Sequence, residues 1–156
     1  MEDLPDEVLQ DPEWTRSGRA RRGRDGCQVP IPWRPGGPPY GFSPPGATAP
    51  PWLPQPLSWG TLTAEVQKGD PGSMLELYRE ALRVRHSEPA LGDGTMRWLD
   101  APAEVLAFYR GPSFACVLNM SSADVPLPTH DSVLLASSPL VDGLLPPDSA
   151  VWLRIP

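Results

Sequence analysis

Apolar positions change their spacing twice along this chain. Over the first 60 residues they follow neither a helical nor a strand period, so no element is expected there beyond turns and extended backbone. Between Met74 and Val84 the helical period takes over. Met74, Leu77, Ala81 and Val84 line one stripe and Leu75, Tyr78 and Leu82 an adjacent one, which predicts a helix with a broad apolar face suited to packing on a sheet. Asp70 before Pro71 is a good start signal, and Ser73 with Glu76 offers a second, later one. No glycine or proline follows until Pro89, so the helix runs to about Ser87. Glu76, Arg79, Glu80 and Arg83 make its solvated face. A shorter helical piece over 62–67, stopped by Gly69, precedes it.

Beyond Leu91 the period becomes two. Segments 95–99, 104–110, 114–120, 132–136 and 150–155 each read as a short strand. Asp100-Ala101-Pro102, Gly111-Pro112, Ser121-Ser122 and Pro146-Pro147-Asp148 lie between them as turn chemistry. The reading is an antiparallel sheet or sandwich with hairpin-length connections.

Composition sharpens the first part. Of 23 prolines, eleven fall between positions 30 and 56, where they favour polyproline II and turns and prevent a strand ladder. Such a stretch could serve as a ligand for a proline-recognising domain. Tyr40, Phe42, Trp52 and Trp59 instead favour a loop laid on a larger body, because disordered linkers carry few large rings.

A net charge of −6 disfavours nucleic acid and anionic membrane surfaces as partners. Arg16, Arg19, Arg21 and Arg22 do not reverse this, since seven acidic residues lie within the first 26. No apolar run approaches the roughly 20 residues of a membrane span, and the N-terminus is acidic, so a cytoplasmic setting is expected. Cys27 and Cys116 are expected as thiols, with neither His86 nor His130 tied to them as a partner.

Candidate chemistry gathers in Gly23-Arg24-Asp25-Gly26-Cys27-Gln28-Val29-Pro30-Ile31-Pro32-Trp33, where a charged pair, a glycine turn and an aromatic ring occur together. A guanidinium beside a carboxylate at a turn can bind sugar hydroxyls, and equally can be a solvated ion pair. The stretch resembles the Arg-Asp-Gly-Cys-Arg-x-Pro-x-Pro-Trp segment of α-glucosidases in the α-amylase superfamily of retaining glycoside hydrolases, the group that includes oligo-1,6-glucosidase. Asp3-Leu4-Pro5-Asp6-Glu7, Gln10-Asp11-Pro12, Trp52-Leu53-Pro54-Gln55-Pro56, Asp70-Pro71-Gly72-Ser73, Leu77-Tyr78-Arg79 and Pro89-Ala90-Leu91 extend the likeness, which thins in the strand-rich tail.

That resemblance implies an α/β portion followed by an all-β one. Residues 1–60 would be the loop-rich, proline-rich excursion after the eighth strand of a (β/α)8 barrel, 61–91 the last barrel helices, and 92–156 a small antiparallel β-sandwich. It implies hydrolysis of terminal α-linked glucose from oligosaccharides with retention, and no cofactor or metal. Such hydrolysis needs a carboxylate nucleophile and a carboxylic acid about 5 Å apart. Those groups belong to barrel strands that would lie upstream, so no catalytic residue is expected here and the chain by itself is expected to be inactive. Arg24 would hydrogen-bond the glucose beside the scissile bond, with Asp25 ordering it. Gln28 departs from the pattern, which usually has Arg, and Trp33 would pack the loop on the barrel. Thr129-His130-Asp131 superficially resembles the family's Asn-His-Asp motif but falls in a turn of the terminal sheet. The expected partners are α-glucoside oligosaccharides and the barrel, with no nucleic acid and no membrane. Two other classes stay open: a stand-alone β-sandwich module binding a glycan or protein through a proline-rich arm, and a fragment complementing a separately encoded barrel.

Overall fold

The structure is a computed structural model that describes residues 4–156, so Asp3 of the resembling run lies outside the described residues. Two compact units divide the described chain, one ending at Glu76 and one beginning at Leu77.

In the first unit, the described residues of the stretch expected as loop hold one short α-helix and 3-10 turns at Asp6–Val8, Asp25–Cys27 and Leu57–Thr61. Helix α1, Pro12–Arg16, starts where the Asp11 carboxylate accepts the Glu13 N–H, with Pro12 at the first position needing no donor. Five residues are too few for an apolar period to show, which is why the spacing missed it. Its Trp14 is buried, with the Arg22 guanidinium 5.9 Å over the ring. Arg22 also pairs with Asp6 and reaches the Leu4 carbonyl, while Arg21 pairs with Glu13. Two of the four arginines in the run are thus paired with carboxylates in place.

Residues 28–56 contain neither helix nor strand, as their prolines require. They still have a small interior. The Tyr40 ring is 1% exposed and its hydroxyl donates to the Pro56 carbonyl at 2.7 Å. The Tyr40 carbonyl accepts the Trp33 and Arg34 N–H groups, and the Gln55 amide donates to the Pro30 carbonyl. Trp33, Phe42 and Trp52 remain exposed. Helix α2, Ala64–Gln67, follows a Thr63 cap and gives way to Gly69 at φ +82°. It matches the short helical piece expected there.

Helix α3, Met74–Ser87, begins at the later of the two start signals. Ser73 Oγ accepts the Glu76 N–H at 3.2 Å, while Asp70 is used up in a turn, accepting the Gly72 N–H at 2.9 Å. Only half of the apolar arc is covered. Val84 is buried and Leu77 and Ala81 are half-buried, whereas Met74, Tyr78 and Leu82 face solvent.

All five expected strands form: β1 Met96–Trp98, β2 Val105–Arg110, β3 Phe114–Asn119, β4 Ser132–Ala136 and β5 Ser149–Arg154. They make one antiparallel sheet in the order β1-β2-β3-β5-β4, rather than the two facing sheets of a sandwich. The period of two fixes which side chains share a face, and it is silent on whether strands join one sheet or two.

On one face Ala107, Ala115, Val117, Val151 and Leu153 pack with Val125 and Leu145, which bridge two loop segments laid over the sheet. Buried Asn119 fastens those segments, its amide donating to the carbonyls of Ala123 and Leu145 and its oxygen accepting from Ser121. On the other face Trp98, Phe108, Cys116, Trp152 and Leu135 align across the strands in one row, and Trp98 is 60% exposed. At the end of β5 Arg154 pairs with buried Glu88 at 2.5 Å, joining the strand to the turn that follows α3.

Candidate functional site

The loop bearing Arg24 is built by two carboxylates that grip backbone. Asp25 is 2% exposed, and its Oδ2 accepts the N–H groups of Gln10 and Asp11, both at 2.9 Å. Asp11 Oδ1 accepts the Glu13 N–H at 2.8 Å and its Oδ2 accepts the Arg24 N–H at 2.9 Å. Each segment thus satisfies the donors of the other. Gly23, at φ +70°, lets the two approach, since a Cβ there would lie 2.4 Å from Asp11 Cγ.

The guanidinium of Arg24 projects from this assembly with its side chain 85% exposed, and its Nε stands 4.0 Å from Asp11 Oδ2. Arg24 and Asp25 therefore do not face one another as a pair. The neighbouring sequence suggested that pairing, whereas the partner comes from thirteen residues upstream. In the sequence Asp11-Pro12 stands out only as part of the α-glucosidase likeness, and nothing in the spacing ties it to Arg24.

The backbone N–H groups of Glu13 and Arg24 hold the Asp11 carboxyl below the usual carboxylate range, helped by the charges of Arg24 and Arg16. A general acid for glycoside cleavage needs the opposite shift. The lowered Asp11 carboxyl is thus not set up as a general acid, and Asp25 Oδ2 is taken up by two backbone donors.

Beside this loop Gln28 is exposed, and with Pro30, Phe42, Ser43, Trp52 and Leu53 it lines a cleft of about 370 Å³. Trp33 is half-exposed, and its carbonyl accepts the Glu65 N–H at 3.0 Å. Elsewhere His130 Nδ1 lies 2.8 Å from the Pro128 carbonyl in the turn leading to β4, and the Asp131 N–H donates to the Arg154 carbonyl. The Thr129-His130-Asp131 run thus sits in the terminal sheet's turn, as its position in the sequence implied. Neither cysteine forms a disulfide, and burial pushes the Cys116 thiol up to about 11. Among the described residues no three His, Cys, Asp or Glu side chains gather as metal ligands would, and no helix is long and apolar enough to cross a membrane.

Compared with known proteins, the chain matches no family model. It is 37% identical over 122 residues to the "Probable alpha-glucosidase" of Rhizobium meliloti (strain 1021), a stretch covering 76% of this chain and 21% of that protein. Its fold matches the solved structure of XgtA, an α-glucosyl transfer enzyme, with a TM-score of 0.77 and 27% identity over 99% of this chain and 30% of that one. The trehalulose synthase MutB from Pseudomonas mesoacidophila MX-45 gives a TM-score of 0.76 and 22% identity, covering 98% of this chain and 33% of MutB, and speaks to fold alone.

The chain thus spans about a fifth of the curated relative and about a third of the two solved structures. Its likeness to α-glucosidases of the α-amylase superfamily, expected from the Arg24 segment, stands on these matches. The five-stranded antiparallel sheet with its few helices resembles the C-terminal domain of such enzymes.

Proposed function

We propose that this chain is the C-terminal portion of an α-glucosidase that hydrolyses terminal α-linked glucose from oligosaccharides with retention, working in the cytoplasm without a cofactor. Residues 1–60 form the excursion after the eighth barrel strand, 61–91 the last barrel helices and 92–156 the closing β domain. The barrel, about 250 residues in this fold, supplies the carboxylate pair. Arg24 contributes the sugar contact: its fork of donors suits vicinal hydroxyls, and Asp25 orders the loop that carries it.

The observation that carries this reading is the Arg24 guanidinium, exposed on a backbone fixed by Asp11 and Asp25, within a chain 37% identical to a probable α-glucosidase. The exposed rings of Trp33, Phe42 and Trp52 in the same unit supply an apolar surface for the barrel to cover.

The test is an assay of α-glucoside hydrolysis by the chain alone and after mixing with a separately produced (β/α)8 barrel of an α-glucosidase. No turnover alone, turnover on mixing and its loss with Arg24→Ala are expected. Turnover by the chain alone that Arg24→Ala abolishes would place the catalytic carboxylates here and overturn the reading. A second reading, a β-domain that binds a glycan or protein by itself, is favoured by one feature, the closed core between the sheet and its Val125–Leu145 bridge. It requires glycan or protein binding that the barrel does not affect.

A further inference from the structure

We propose that Asp11 is a positioning residue for Arg24, holding that residue's backbone so that its guanidinium leaves the loop in one direction; the proposal rests on the reading of Arg24 as a sugar contact. A long side chain on a mobile loop samples a wide volume. Here the segment is fixed on both sides of residue 24. Gly23 lies against the Asp11 side chain, so closely that a Cβ would meet Cγ at 2.4 Å. The Arg24 N–H is held by Asp11 Oδ2 at 2.9 Å, and Asp25 is buried and anchored to the N–H groups of Gln10 and Asp11. What remains free is the side chain beyond Cα, which Asp11 Oδ2 faces at 4.0 Å from Nε.

A carboxylate is suited to this because it has two equivalent acceptor oxygens. One takes the Glu13 N–H and caps α1, the other takes the Arg24 N–H and faces its charge. An amide at position 11 has one acceptor oxygen. Asp11→Asn would therefore keep the helix cap, for which Asn is as good as Asp, and present an NH₂ to the Arg24 N–H. That variant separates capping from positioning. The charged groups around Asp11 are Arg24 and Arg16, with Glu13 and the Asp25 carboxylate bound to its own N–H. Because the Asp11 carboxyl is held below its ordinary value of 3.8, the grip is complete above that pH and is lost as pH falls through the lowered one.

The experiment uses the ¹⁵N-labelled full chain. In the unaltered chain the Arg24 amide is expected to exchange slowly and to shift at acid pH with the Asp11 carboxyl. In Asp11→Asn the Glu13 amide should stay protected, while Arg24 amide exchange rises roughly tenfold or more and its acid shift vanishes, as loss of one charge-assisted hydrogen bond implies. An Arg24 amide unchanged in both respects overturns the proposal, as does joint loss of protection at Glu13 and Arg24, which would mark Asp11 as a cap alone. In the barrel mixture Asp11→Asn should raise KM for the α-glucoside with kcat little altered. If the amide results hold but Arg24→Ala leaves KM unmoved, the sugar contact falls and the loop geometry stands.

Discussion

At the scale of single residues, burial and backbone hydrogen bonds decide what each group can do. Cys116 lies in the cross-strand row between Phe108 and Trp152, where desolvation disfavours the thiolate and a hydrogen bond with Trp152 opposes it only in part. Its thiol, ordinarily at 9.0, is raised to about 11. The raised value means the thiol form is favoured by folding: its contribution is complete below pH 9.0 and is lost as pH climbs toward 11. Iodoacetamide at pH 8 should therefore modify exposed Cys27 first and leave Cys116 largely intact, as peptide mass spectrometry would read. Equal labelling of both would refute that burial. Sequence alone set the two cysteines apart by position and gave no sign that one was shielded. The Arg24-Asp25 neighbourhood shows the same limit. The residue types at the site were legible, but a buried carboxylate serving Gln10 and Asp11 depends on a fold-back of about fifteen residues that no local spacing encodes.

Among the elements, the regular ones were the legible ones. Helix α3 and the five strands repeat a period long enough to be seen, and their starts and stops carry capping and turn residues. Which start signal α3 uses was settled by competition, because Asp70 closes its own turn onto Gly72 and leaves Ser73 to cap. Its two apolar stripes also looked equivalent in the sequence. In the fold Val84 is 4% exposed and Tyr78 is 65% exposed, so truncations should differ sharply. Val84→Ala is expected to cost about 1.5–3 kcal/mol from lost methyl groups and the cavity left behind. Tyr78→Ala should stay within about 0.5 kcal/mol, since it loses little buried area and gains helix propensity. Urea unfolding of the full chain measures both, and similar losses at the two sites would contradict the division of the helix into covered and open sides.

For the molecule as a whole, the informative feature is apolar surface left uncovered. Trp33, Phe42, Trp52 and Leu57 stand exposed in the first unit, and Tyr78, Leu82, Met96 and Trp98 in the second. Soluble monomers rarely leave so much large apolar surface open without a partner for it. The chain should accordingly raise the fluorescence of an apolar dye such as anilinonaphthalene sulfonate, and that signal should fall when an α-glucosidase barrel is added. A dye signal no greater than that of a compact control protein would show that these side chains are not available.

From its order of residues alone the chain declared its α-glucosidase likeness, its strands, its long helix and the lack of any regular element across the prolines, because each of these rests on neighbours within a few positions. Only the tertiary structure decided that the strands share one sheet, that Tyr40 is enclosed while Trp33 and Trp52 are not, and that Asp11 rather than Asp25 meets Arg24. Those outcomes depend on which distant segments come together, and a linear pattern holds no record of that distance.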